Sequence, residues 1–376
     1  MIFLDNASTT KVFDLAVEQM NKIYLEDYFN PSATYKGGRE VLSYITQARE
    51  NVAKHLSAKK DEIYFTSCAT ESNNWVLNNA FKNKKGNIVV SCGEHACVYE
   101  TAKNLASKGL DVRFAPLKDD GRVDIETLLS LVDNTTNLVS VIHASNETGV
   151  INDIATISKR VKGKNPKTLI HSDGVQAFLK TATPMQKLGI DFYSLSGHKV
   201  GAPKGVGVLY IKNGIHIAPY IYGGGQEKNM RSGTENVAGI SAFSVAIDCY
   251  KNSCREEKIE NNYKLALSLL STIDGVEIIG NTEKNTHLII CATVDKVRAE
   301  TLQSLMSDSG VYIGRGSACS SAHSGNRVLS AMGVLDKKIE GAIRISLSPS
   351  TTEEEIRTAI KILKENVEKI RGYQVG

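Results

Sequence analysis

The sequence predicts an α/β fold in which a mainly parallel sheet is covered on both faces by helices and is followed by a smaller α/β unit. Two patterns carry that expectation. From about Asp61 to Tyr210 short apolar runs alternate with stretches of helical periodicity, which is how parallel sheets are built. After a long helical stretch near residues 236–270 the runs become sparser, and the chain closes on a single helical segment. Across 376 residues, 41% hydrophobic and 23% charged, there is material for a large globular core and two domains.

Strands of the larger sheet are expected at residues 62–66, 87–91, 111–116, 138–143, 168–172, 191–194 and 206–211. The smaller unit is expected to hold strands at 275–279, 287–293, 311–313 and 342–346, with helices at 299–309 and 352–370. Thr351 or Thr352, followed by Glu353-Glu354-Glu355, suits an N-cap with an acidic first turn.

Charge and cysteine usage narrow the function classes. With 45 basic and 41 acidic residues the net charge is +4, and lysines cluster only in pairs such as Lys84-Lys85 and Lys337-Lys338. Nothing in that pattern supports nucleic-acid or membrane binding through a basic face. The start, Met1-Ile2-Phe3-Leu4-Asp5, lacks a basic n-region, and no apolar run is long enough to span a bilayer, so a cytoplasmic protein is expected. Seven scattered cysteines read as reduced thiols and not as a disulfide framework. Cys92, His95 and Cys97 lie close together, but no second Cys/His pair follows at a fitting distance, so no metal site is expected.

The chemistry gathers around residues 194–210. Lys199 stands between Ser196, His198 and a glycine-rich turn, after the apolar Ile190, Phe192 and Leu195, where a scaffold can position a Schiff-base lysine. Pyridoxal phosphate (PLP) requires such a lysine, an acid that keeps the pyridine nitrogen protonated, and a phosphate cradle. Asp173, ending the apolar run 167–173, suits the acid, and Gln176 follows close enough to reach the ring hydroxyl. Ser196 and His198, on alternate positions of an extended segment, would both turn toward one phosphate. Ser67-Cys68-Ala69-Thr70-Glu71 lies between a strand and the helical pattern 72–81, where backbone N–H groups, a helix dipole and the Thr70 hydroxyl can hold a phosphate. Each residue alone also has a plain reading: Lys199 as a surface lysine, Asp173 and Thr70 as helix caps.

Several longer motifs set those readings in one frame. Leu4-Asp5-Asn6-Ala7-Ser8-Thr9-Thr10, Phe65-Thr66-Ser67-Cys68-Ala69-Thr70-Glu71-Ser72-Asn73-Asn74 and Ser196-Gly197-His198-Lys199 occur in that order. They are followed by Gly223-Gly224-Gly225-Gln226-Glu227, Arg231-Ser232-Gly233-Thr234-Glu235-Asn236, Gly316-Ser317-Ala318-Cys319-Ser320-Ser321 and Ala342-Ile343-Arg344-Ile345-Ser346-Leu347. Together they make the chain resemble the cysteine desulfurases, PLP enzymes of the class V aminotransferase group, over nearly its whole length.

The resemblance implies a PLP-transferase fold of type I. A large domain at 15–250 would hold a seven-stranded sheet, and a small domain would combine residues 1–14 with 251–376. Lys199 and Cys319 become the catalytic residues, with His95 over the cofactor ring as a stacking partner and an acid or base. Ala69, Thr70, Asp173, Gln176, Ser196 and His198 would bind the cofactor. Thr234 would complete the phosphate site of the second subunit in a homodimer. Asn146 and Arg344 would bind the substrate, the guanidinium gripping its α-carboxylate. Cys319, on a small polar segment that is expected to be mobile, would carry sulfur from L-cysteine as a persulfide, releasing L-alanine. An acceptor protein would take it for iron–sulfur cluster, thio-cofactor or tRNA synthesis. Tyr35, Cys68, Ser145 and Gly174 depart from the family pattern. A selenocysteine lyase or other PLP β-lyase, and a diverged non-catalytic sulfur-network protein, are the alternatives.

Overall fold

The computed structural model describes residues 1–81, 85–280, 283–316 and 326–374. A short strand, β1 (Ile2–Leu4), comes first. Seven strands then build one sheet: β2 (Ile63–Thr66), β3 (Asn87–Ser91), β4 (Asp111–Ala115), β5 (Thr136–Ser140), β6 (Leu169–Asp173), β7 (Phe192–Ser196) and β8 (Gly207–Ile211). Four more follow, β9 (Val276–Ile279), β10 (Ile289–Val294), β11 (Val311–Arg315) and β12 (Ala342–Ser346).

The large sheet runs β2-β8-β7-β6-β5-β3-β4, parallel from β4 through β7, with β8 and β2 added antiparallel at one side. Every residue of β3, β7 and β8 is buried, as a sheet covered on both faces requires. The alternation of side chains sorts those residues between two cores. Val89, Tyr193 and Val208 pack with the helices Asp14–Leu25, Lys36–Leu56 and Val237–Ser253. Ile88, Val90, Phe192 and Leu209 pack on the other face, against Trp75 and Leu77 of helix Ala69–Asn79 and Val98 and Ala102 of helix Ala96–Ser107. Burying a side chain of this size contributes about 1.5–3 kcal/mol, so the sheet is held from both sides.

Each expected strand of this sheet is present, with ends displaced by a few residues. The largest displacement is at 138–143, where β5 ends at Ser140. The chain beyond it still donates Val141 N to His171 O and His143 N to Asp173 O, so the ladder continues past the regular strand.

The second sheet has the order β1-β11-β12-β10-β9, with β1 parallel to β11 and the other pairs antiparallel. The long helical stretch near 236–270 is two helices, Val237–Ser253 and Glu256–Leu270. Backbone in the extended region at Cys254 and Arg255 breaks them, and they serve different layers. The first lies on the large sheet; the second covers the small sheet with helices Ala299–Asp308 and Glu353–Gln374. Thr352 caps the last of these: its Oγ1 accepts the Glu355 N–H at 3.2 Å, and the Glu355 carboxylate accepts the Thr352 N–H at 2.8 Å. Such a reciprocal cap contributes about 1 kcal/mol.

The polar segment from Gly223 to Asn236 is pinned through a buried carboxylate. The buried Glu227 carboxylate pairs with Arg49 at 2.6 Å and accepts the Phe65 N–H at 2.9 Å. A charge partner on the neighbouring helix, invisible in local composition, makes that burial tolerable. No helix of the described residues is long and apolar enough to cross a membrane.

Candidate active site

A cavity of about 360 Å³ opens where the C-terminal ends of the parallel strands meet the small sheet. Open α/β sheets place ligands at such ends. Lys199 reaches it from a single turn of 3-10 helix, Gly197–Lys199, that follows β7. The extended alternation expected for Ser196 and His198 is therefore replaced by a turn, yet both side chains still line the cavity. The Lys199 ammonium donates to the carbonyls of Ala7 at 2.7 Å and Ser8 at 2.5 Å, so the N-terminal arm orients it. Burial, helped by the charge of Arg344, lowers its pKa to about 8, against the pull of Asp5 and Asp173.

Asp173 ends β6 and is buried. Its Oδ1 accepts the Val175 N–H at 3.0 Å, and its Oδ2 accepts from Asn73 Nδ2 at 2.7 Å. Turns and not a helix follow it, so it is not a helix cap. Gln176 lines the same cavity, donating to Ala7 O at 2.9 Å and accepting from Lys180 at 2.6 Å.

Ala69 and Thr70 open helix Ala69–Asn79, and both face the cavity. Cys68 before them has φ of −173°, extended backbone that any residue adopts, so the turn makes no conformational demand for glycine there. The demand falls on Gly207 opposite, where a Cβ would lie 2.6 Å from the Cys68 carbonyl carbon. His198 keeps a pKa lowered to about 4, first by burial and then by the charge of Lys199, and its Nδ1 lies 3.2 Å from Thr9 Oγ1.

Arg344, buried in β12, donates to Asn146 O and to the Asp5 carboxylate, both at 3.0 Å, and lies 3.6 Å from Glu147. Its cation is thus held by fixed partners at the cavity wall. The Asn146 side chain donates to Glu147 at 2.7 Å. Ser145 is a turn residue: its Oγ accepts the N–H groups of Glu147 and Thr148, each at 3.2 Å. His95 caps helix Ala96–Ser107 and lines the cavity beside Cys97. Its crowded surroundings lower the imidazole pKa.

Thr234 is exposed and lies outside this cavity, as does Tyr35 at the start of helix Lys36–Leu56. Cys319 lies outside the described residues. The residues on either side of it do reach the site: Arg315 lines the cavity, and Asn326 donates to Glu147 at 2.9 Å. A Cβ on Gly316 would lie 2.3 Å from Asn326 Nδ2, so these two described residues are side by side.

The donor set fits PLP. An amine of lowered pKa, a buried carboxylate held by two N–H donors, and a strand-to-helix turn beside Ser196 and His198 answer the aldehyde, the pyridine nitrogen and the phosphate respectively. Among the described residues no three His, Cys, Asp or Glu side chains come together as a metal site would need.

Sequence reasoning missed the residues that position these groups. The carbonyls of Ala7 and Ser8 have no side-chain signature. Asn73 differs from its neighbour Asn74 only in the helix face it occupies: Asn73 is buried, whereas Asn74 turns back to Thr70 O. Gly174, noted only as a departure, makes room for the buried Tyr193, whose hydroxyl lies 2.7 Å from His143 Nδ1.

Known proteins resemble this chain over nearly its whole length. Residues 2–358 match the aminotransferase class-V family, and the chain belongs to it. The fold is type I of the PLP-dependent transferases. A cysteine desulfurase IscS of Methanosarcina thermophila is 35% identical, over 99% of this chain and 93% of its own. Cysteine desulfurase 2 of Trichormus variabilis is also 35% identical, over 99% of this chain and 94% of its own. Among solved structures, a NifS-like protein superposes with a TM-score of 0.92 at 38% identity, over 98% of this chain and 99% of its own. A structure described as SspA in complex with cysteine gives a TM-score of 0.83 at 29% identity, over 94% of this chain and 100% of its own.

Proposed function

We propose that the chain is a PLP-dependent cysteine desulfurase that converts L-cysteine to L-alanine and leaves the sulfur as a persulfide on Cys319. The observation that carries this reading is the meeting of Lys199, Asp173 and Arg344 in one cavity. The names of its relatives support the same substrate and reaction.

PLP bound at Lys199 supplies an electron-withdrawing ring that stabilises negative charge at the substrate α-carbon. Asp173 would accept a hydrogen bond from the pyridine nitrogen of that ring, Ala69, Thr70, Ser196 and His198 would hold its phosphate, and Gln176, with one amide hydrogen not used on Ala7, would serve its hydroxyl. Arg344 and Asn146 take the α-carboxylate, the Arg344 cation being kept in place by Asp5. An amine with a pKa of about 8 is unprotonated often enough near neutral pH for Lys199 to take the α-proton. The Cys319 thiolate then attacks the substrate sulfur. The S–S bond forms, the C–S bond breaks with its electron pair left on the β-carbon, and protonation of that carbon, with return of a proton from Lys199 to the α-carbon, gives alanine. Cys319 lies three positions beyond Gly316, a tether that spans at most about 10 Å.

The persulfide then passes to an acceptor protein such as an iron–sulfur scaffold. A cytoplasmic, reducing setting suits this chemistry, and the six cysteines of the described residues are free thiols. Two copies would pair, with Thr234 of each serving the other. Exposed apolar side chains at Leu15, Tyr24, Leu25, Tyr28, Tyr35, Leu42 and Tyr222 support such a contact.

Incubation with isotopically labelled cysteine tests the reading. The purified protein with PLP should show the visible band of a lysine-bound cofactor, absent in Lys199→Ala. Cys319→Ser should keep the band and lose the mass of one sulfur on that residue. A colourless wild type, or labelled sulfur on another cysteine, would sink the assignment.

A further inference from the structure

Cys97 has no part in the chemistry above, yet it stands in the cavity wall beside His95. Nδ1 of His95 accepts the backbone N–H of Cys97 at 3.2 Å. A backbone amide can only donate, so Nδ1 carries a lone pair and the proton of the neutral ring is on Nε2. The Cys97 sulfur lies 3.0 Å from the same Nδ1, and facing an acceptor its thiol must be the donor. Burial, with the charge of Asp173 behind it, pushes that thiol up to about 12, so its proton stays in place. On its other side the sulfur accepts from Asn73 Nδ2 at 3.1 Å. The same nitrogen donates to Asp173 at 2.7 Å, and an amide turned the other way would set oxygen against oxygen. A chain of hydrogen bonds therefore runs from Asp173 through Asn73 and Cys97 to His95.

We propose that Cys97 is a positioning residue for His95: its thiol, oriented by Asn73, holds the imidazole neutral with the ring proton on Nε2. His95 then acts as a hydrogen-bond or proton donor through Nε2, on the side of the ring away from the helix, and not as a base there. Protonating the ring at Nδ1 would break two hydrogen bonds at once. Charges on the other packed elements oppose each other. Asp173 after β6 and Glu147 in the turn beyond β5 favour the cation, whereas Lys199 and Arg327 disfavour it together with burial. The catalytic consequence rests on the desulfurase reading; the hydrogen-bond chain does not.

Nitrogen-15 NMR of histidine-labelled protein tests the proposal, in holoenzyme and in PLP-free protein. The wild-type His95 should show the Nε2–H tautomer. Cys97→Ala should raise its pKa by about 1 pH unit, the change in proton affinity that loss of one neutral hydrogen bond produces. Cys97→Ser, which restores a donor, should return it toward the wild type. An Nδ1–H tautomer in the wild type, or the same pKa in the alanine variant, overturns the proposal. A protein that takes up no PLP would overturn the desulfurase reading, while the titration of the PLP-free protein still decides the role of Cys97.

Discussion

The phenol ring of Tyr193 fills the space that a side chain at Gly174 would need, its Cζ lying 2.0 Å from where a Cβ would be built. Asp173 is thereby placed by its neighbours' packing as well as by its own strand. Gly174 N is held to Ser194 O at 2.9 Å, so the backbone there has little room to move aside.

Gly174→Ala should consequently destabilise the protein by about 1–3 kcal/mol, the usual cost of overpacking. The cost should be strongly non-additive with Tyr193→Ala, because the second change opens the space that the first requires. Urea unfolding of the two single variants and the double variant checks this. Additive losses would show that the two residues do not compete.

Arg344 donates to both the Asn146 carbonyl and the Asp5 carboxylate, a span that a lysine ammonium cannot reproduce. Arg344→Lys is expected to raise KM for L-cysteine about tenfold or more, since a hydrogen bond to a charged group contributes about 1.5–3 kcal/mol. Steady-state kinetics decide it. An unchanged KM with a lowered kcat would place the guanidinium in the chemical step instead of in substrate binding.

Lys180 donates to Gln176, and burial together with the charge of Lys199 lowers its pKa to about 7 from 10.5. Between those values the unfolded chain binds more protons than the folded one, so stability rises with pH across that window and the penalty is complete below it. Lys199, lowered to about 8, adds a slope of the same sign from there upward. Lys180 is partly reached by solvent, which makes its slope shallower than full enclosure would give. Urea unfolding of the PLP-free protein should show stability rising from about pH 7 to about pH 9.5, with a reduced rise in Lys180→Met. Equal slopes in the two proteins would exclude Lys180 as a source.

Asn73 supplies one of the two hydrogen bonds seen on the buried Asp173 carboxylate. Asn73→Ala leaves that oxygen without a partner inside the protein, at a cost of about 1–3 kcal/mol. Thermal unfolding should register the loss, and PLP affinity should weaken with it. A variant as stable as the wild type would mean that water replaces the amide.

Much of the architecture was legible before any coordinates. Strands of a sheet covered on both faces need apolar runs, and β3 with Ile88-Val89-Val90 and β8 with Val208-Leu209-Tyr210-Ile211 announce themselves that way. The cavity side chains Lys199, Asp173, Thr70 and Arg344 were legible because each sits at a strand end or in a motif whose residue types suit one task. The helix break at Cys254 was not, since both flanking segments keep helical periodicity and only their packing on different sheets separates them.

The chain's own residues determined where the sheet lies, which side chains are offered to the cavity and what chemistry they suit, because those follow from local periodicity and residue type. Tertiary structure alone decided how the offered groups are tuned. The Ala7 carbonyl meets the Lys199 ammonium across 192 positions, Asn73 meets Asp173 across 100, and Asp5 meets Arg344 across 339. Such contacts depend on how two sheets and an N-terminal arm pack together, and burial in that packing, not residue identity, lowers the pKa of the lysine amine.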